Sequence, residues 1–243
     1  MLTDIINCKN CNNTVENNFC GNCGQAVQIK RVDKHYFFHE IWHVLHFEKG
    51  IFYTIRELLI RPGQNVRKFI TEDRSRLVKP IIFIVTTSLI YSVINNLFHI
   101  EEGYVNFHDT KQSATNVIFH WVENHYGYAN IIMGVFIAFW IKVFYRKYDY
   151  NFFEILILLC FVMGIGMLIF SVFALFEGLT KLNLMKVSGM IGVSYCAWAI
   201  GQFFDQKKVI NYLKALASYV LGMLTFFISA TLLGFFIDIF IKH

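Results

Sequence analysis

Polar and apolar positions alternate on a coarse scale along this chain. The first thirty residues are polar and carry cysteines, an amphipathic stretch continues to about residue 79, and long apolar runs follow, separated by short polar connections. Five runs, 80–99, 129–145, 152–176, 185–204 and 216–241, approach the ~20 residues a helix needs to cross a bilayer core of ~30 Å. They predict an all-α membrane protein with five transmembrane helices, because a helix satisfies its own backbone where no water can. Between them, 100–128 reads as one long loop. Upstream, Tyr36, Phe37, Phe38, Ile41, Trp42, Leu45, Phe52, Ile55, Leu58 and Leu59 recur near helical spacing, interrupted at Gly50. Pro62-Gly63 then opens a further helix, since proline suits a first helical turn. The pattern divides the chain into 1–30, 31–79 and a membrane region, 80–243.

The polar start carries the strongest chemical signal. Cys8-Lys9-Asn10-Cys11 and Cys20-Gly21-Asn22-Cys23 form two CxxC pairs separated by eight residues. Two tight turns can present four thiolates to one tetrahedral zinc. Asparagine between the pairs, with Gly21 and Gly24 around the second, suits turns with positive φ. Cys8, Cys11, Cys20 and Cys23 are therefore the expected ligands of a structural Zn2+ in an N-terminal ribbon. Four sulfur ligands leave no position for water or substrate, and so short a segment folds only with its metal. Cys160 and Cys196 fall inside apolar runs and read as small hydrophobes.

Charge sets the orientation. Residues 1–79 hold twelve of the 22 Lys and Arg, and Arg146, Lys147, Lys207, Lys208 and Lys214 lie in the connections after the second and fourth runs. The 100–128 stretch carries only Lys111 against Glu101, Glu102, Asp109 and Glu123. The positive-inside rule then predicts a multi-pass protein with its N-terminus in the cytoplasm. Thiolates kept for zinc favour the same reducing side. Residues 1–10 lack the apolar stretch of a signal peptide. Arg61, Arg67, Lys68, Arg74, Arg76 and Lys79 face only Glu72 and Asp73, a balance suited to anionic lipid headgroups, with packing of the amphipathic segment on the protein's own membrane domain as the equal alternative. The ribbon itself has balanced charge and one aromatic, Phe19, so nucleic acid is not an expected partner.

Two further patterns carry chemistry. His39-Glu40-Ile41-Trp42-His43 fits HExxH, where two histidines one turn apart hold zinc and the glutamate activates water. A protease would need a further ligand, and the nearest acidic candidates, Glu57 and Glu72, lie in no second motif. Ionisable residues within or near the apolar runs are Glu154, Lys142, Glu177 and Asp238. Lys142 and Glu154 are expected to pair across their short connection, while Glu177 and Asp238 should lie near the outer surface.

The assembled pattern resembles the bacterial membrane proteins of domain-of-unknown-function family 3667. The resemblance rests on the cysteine ribbon ending Cys23-Gly24-Gln25, on Glu48-Lys49-Gly50 with Thr54 and Leu58-Leu59, and on Arg61-Pro62-Gly63. It continues through Phe69-Ile70, Arg74 and Pro80 to Asn151-Phe152-Phe153-Glu154. Glu72 stands where the family usually has glycine before its basic pair, and Ile155 where a histidine often follows the membrane glutamate. A looser likeness is to the five-span Yip family. The resemblance implies architecture and a bacterial cytoplasmic membrane, with no established activity. The expected function is non-enzymatic: a scaffold or organiser of lipids and a protein partner, the latter through the ribbon. The alternatives are a transporter or permease subunit using Glu154 and Lys142, and a metalloprotease using His39, Glu40 and His43.

Overall fold

The computed structural model describes residues 6–15, 18–24, 26, 50–98 and 113–241. Along them run β1 (Ile6–Asn7), β2 (Thr14–Val15), α1 (Ile51–Ile60), α2 (Pro62–Thr71), α3 (Pro80–Phe98) and α4 (Ala114–Asn124). They continue with α5 (Tyr126–Phe144), α6 (Phe152–Thr180), α7 (Met185–Asp205) and α8 (Val209–Ile241). Five of the helices, α3 and α5 to α8, are long and apolar enough to cross a membrane. Large apolar side chains such as Leu224, Ile228, Leu232 and Phe236 stand exposed along α8, a surface suited to lipid and not to water. The fold is that of a multi-pass helical membrane protein.

Helix α6 is the centre of the bundle. Ile155 to Met163 are buried without a break, and α6 packs against α3, α5 and α7 on its flanks and α1 and α2 at one end. Phe161 anchors that end, with Phe69 of α2 at 5.2 Å and Phe83 of α3 at 5.8 Å between ring centroids. In lipid the hydrophobic effect does not drive helices together, so close packing must. Gly222 of α8 shows how: a Cβ there would come within 2.8 Å of the Ile137 backbone nitrogen on α5.

Helices α5 to α8 each start earlier or end later than the predicted run. α8 begins at Val209, seven residues early, because its first turns carry Asn211 and Lys214, polar positions that an apolar pattern excludes. Both are used: Asn211 donates to the Tyr148 hydroxyl at 3.0 Å, and Lys214 reaches the Phe144 carbonyl at the end of α5. The expected long loop over 100–128 needs correction, since it contains α4. Ser113 caps that helix, accepting from the Asn116 amide at 3.3 Å, and Asp238 of α8 accepts from the Ala114 amide at 2.9 Å. Asp238 is thus a helix cap.

Glu177 has a similar task. Its Oε2 accepts from the Leu184 and Met185 amides at 2.8 and 2.9 Å, holding the start of α7 against the end of α6. Glu177→Ala is expected to cost about 1–2 kcal/mol, because two partly buried amides lose their acceptor. Thermal unfolding in detergent checks this, with Glu177→Gln retaining part of the stability.

Candidate metal centre

Local backbone chemistry builds the cysteine site from two matching turns. β1 and β2 pair antiparallel, Ile6 with Val15 and Asn7 with Thr14, and so bracket the first CxxC. The Asn12 amide donates to the Cys8 carbonyl at 2.9 Å, and the Gly24 amide to the Cys20 carbonyl at 2.8 Å. Each turn closes on a residue with positive φ, 62° at Asn12 and 72° at Gly24. Asparagine and glycine are the residues that tolerate this conformation.

The turns bring the four sulfurs together. Cys8 and Cys23 lie 3.5 Å apart, as do Cys11 and Cys20, and all four Sγ atoms lie within 4.8 Å of one another. A tetrahedral ion with sulfur bonds of ~2.3 Å sets its ligands ~3.8 Å apart. The cluster fits such an ion with adjustments of up to about 1 Å between sulfurs, and all four cysteines are free of disulfides. The thiols are also prepared for ligation. The Cys11 and Asn10 amides hold the Cys8 thiol below its ordinary value, and the Asn13 amide brings Cys11 down to about 6. Such amides also orient a thiolate once it is bound. The four cysteines can therefore hold a metal ion.

The other candidate residues fare differently. His39, Glu40 and His43 lie outside the described residues, as does the amphipathic stretch before Gly50. Glu57, one possible further ligand, instead pairs with Arg76 at 3.0 Å. Glu154 closes a capping box at the start of α6: its Oε2 accepts from the Asn151 amide at 2.7 Å, and its own amide donates to Asn151 Oδ1 at 2.9 Å. Lys142 donates to the Tyr150 carbonyl at 2.6 Å. Both charges therefore serve the short connection between α5 and α6. Glu154→Gln keeps an acceptor for Asn151 and is expected to change stability by no more than about 0.5 kcal/mol, whereas Glu154→Ala costs ~1 kcal/mol. Thermal unfolding in detergent compares the two.

Helices α1 and α2 form a collar under the bundle. Thr54 accepts from the Val78 amide at 3.0 Å, Asn65 donates to the Glu57 carbonyl at 2.8 Å, and Tyr195 of α7 donates to the Leu58 carbonyl at 3.0 Å. The Gly63 amide donates to Gln202 Oε1 at 2.8 Å. Arg67 donates to the Gln202 and Phe203 carbonyls, capping the end of α7. The sequence left the basic row open between lipid and the protein's own membrane helices, and did not single out Arg67 for this use. The cue was its position four residues after Gly63, on the same helical face.

Fold and site together define a multi-pass membrane protein with a four-cysteine cluster ahead of its helices. The model of the family described as "Protein of unknown function (DUF3667)" matches residues 48–92, and the chain resembles that family over this stretch. No curated protein and no solved structure matches the chain. The matched residues run through α1, α2 and most of α3, which are the collar and the helix it leads into.

Proposed function

We propose that this protein is a non-enzymatic scaffold of a bacterial cytoplasmic membrane, contacting a protein partner through a structural zinc ribbon. One observation carries the reading: all four cysteine sulfurs converge on one point, a ligand set with no position left for water or substrate. Zinc suits four soft thiolates in tetrahedral array. The distribution of Lys and Arg supports a cytoplasmic ribbon, where thiols stay reduced. On α1, Phe52, Arg56, Leu59 and Ile60 are exposed together, an apolar face with a cation that suits anionic lipid headgroups. Cross-linking in native membranes tests the scaffold, comparing the intact chain, a chain lacking residues 1–30, and Cys20→Ser with Cys23→Ser. Selective loss of one partner from both altered chains is the expected result. An unchanged set of partners overturns the reading and makes the ribbon a passive cap.

A further inference from the structure

At the end of the bundle away from the collar, α3 to α8 surround a cavity of about 680 Å³. That volume lies within the ~300–1,000 Å³ range of small-molecule sites. Five of the chain's seven methionines line it: Met133, Met163, Met167, Met185 and Met223. Methionine is flexible and polarisable, and shapes itself to varied apolar ligands. Gly166 and Gly192 add room on the facing walls of α6 and α7. An apolar void forfeits dispersion contacts unless something fills it. In a bilayer, the material at hand is a lipid chain.

Shape and charge narrow the occupant. Along α7 the lining runs from Met185 to Cys196, about 16 Å at ~1.5 Å per residue. That is half the ~30 Å hydrocarbon core of a bilayer, the depth of one lipid tail. The wall is polar at few places. Asn130 is buried and donates to Ser88 Oγ at 3.3 Å, and Glu123 is the one carboxylate among the described lining residues. Glu123 comes from α4, with His120 at 3.8 Å. Its carboxylate accepts hydrogen bonds and repels a phosphate.

We infer that this cavity binds a single elongated lipid chain whose hydroxyl or amine head meets Glu123 and whose tail lies among the methionines. The site is independent of the ribbon and of its metal. Its recognition is of an apolar tail with a donating head, whether that tail is straight acyl or branched isoprenoid.

Photo-cross-linking of the full chain in liposomes tests the inference. The probe is a sixteen-carbon alcohol bearing a diazirine in its tail, with unlabelled hexadecanol, farnesol, hexadecylamine and hexadecyl phosphate as competitors. Saturable labelling on peptides holding Met133, Met163 or Met223 is expected, with competition by the alcohols or the amine and not by the phosphate. Whether hexadecanol or farnesol competes better assigns the tail as acyl or isoprenoid. Val193→Trp and Met223→Trp fill the cavity from α7 and α8 and should each lower labelling about tenfold, equivalent to ~1.4 kcal/mol of binding. Glu123→Gln should leave labelling in place and raise competition by the phosphate. A thermal scan of each variant identifies any that fail to fold; these are replaced by Ala129→Phe. The inference is overturned by non-saturable labelling spread over the exposed faces of α8, by labelling unchanged in folded cavity-filling variants, or by the phosphate competing best.

Discussion

Intact protein purified under reducing conditions is expected to hold about one zinc per chain, and Cys20→Ser with Cys23→Ser to abolish it. The effect should be large because the ribbon has little else to hold it together. Among the described residues its apolar cluster comprises Cys8, Val15 and Cys20, with Cys11 packed against them, so metal binding is expected to supply the folding free energy. Apparent values for structural zinc in small fingers are ~10–16 kcal/mol. Removing two of four thiolates forfeits most of that. The membrane helices should respond little, since their core cluster contains no described residue of the ribbon. Metal analysis by mass spectrometry reads the first effect, and a thermal scan in detergent reads the second. A metal-free protein with fully reduced thiols refutes the assignment, and stoichiometric iron corrects the ion.

Protons compete for the same ligands. The Asn13 amide holds the Cys11 thiol down to about 6, so this ligand is a thiolate at neutral pH. A depressed value in the folded form stabilises that form above the ordinary thiol range, and the contribution is lost as pH falls through the folded value. Zinc content should therefore hold at pH 7 and decline on acidification, at a pH below the metal-free thiol value because the ion itself favours the thiolate. Dialysis against a series of buffers, followed by metal analysis, measures the decline.

The second large effect is expected at Gly63. A Cβ added there would come within 2.7 Å of Phe203 Cα and overlap the Gln202 backbone. Backbone cannot rotate aside as a side chain can. Gly63→Ala must push α2 off the end of α7, loosening the Gly63 to Gln202 hydrogen bond and the Arg67 cap together. Overpacking costs ~1–3 kcal/mol, and a contact on backbone belongs at the upper end. A shift on the order of 2–4 °C per kcal/mol should appear in thermal unfolding. Gly189→Ala is the control. It lies within α7 with open space around it, so alanine there should raise helix stability by up to ~1 kcal/mol. Opposite signs at the two glycines would separate close packing from helix propensity.

Gly63 also lies within the stretch that resembles the family of unknown function. Arg61-Pro62-Gly63 read as the start of a helix, and Pro62 does open α2 without needing its missing amide. Why glycine follows proline was not legible, since the reason is a helix 139 residues further on. The basic row after it shows the same limit. Composition left the row open between lipid headgroups and the protein's own membrane helices, and only the structure shows that Arg67 caps α7 and Arg76 pairs with Glu57. Helix α4 was missed because its apolar positions are broken by His120, Glu123 and Asn124, while the cap at Ala114 is donated by Asp238.

What the chain's own order determined were the features set by neighbours along the sequence. The two cysteine turns close through bonds between residues four apart, with Asn12 and Gly24 supplying the positive φ. The five spans follow from runs of apolar residues long enough for a bilayer. Tertiary structure alone decided that Asp238 and Arg67 act as caps, why Gly63 has no side chain, and where five scattered methionines meet around one cavity. Each of these depends on pairs of residues far apart in sequence, and their approach is set by how the helices pack and not by any local propensity.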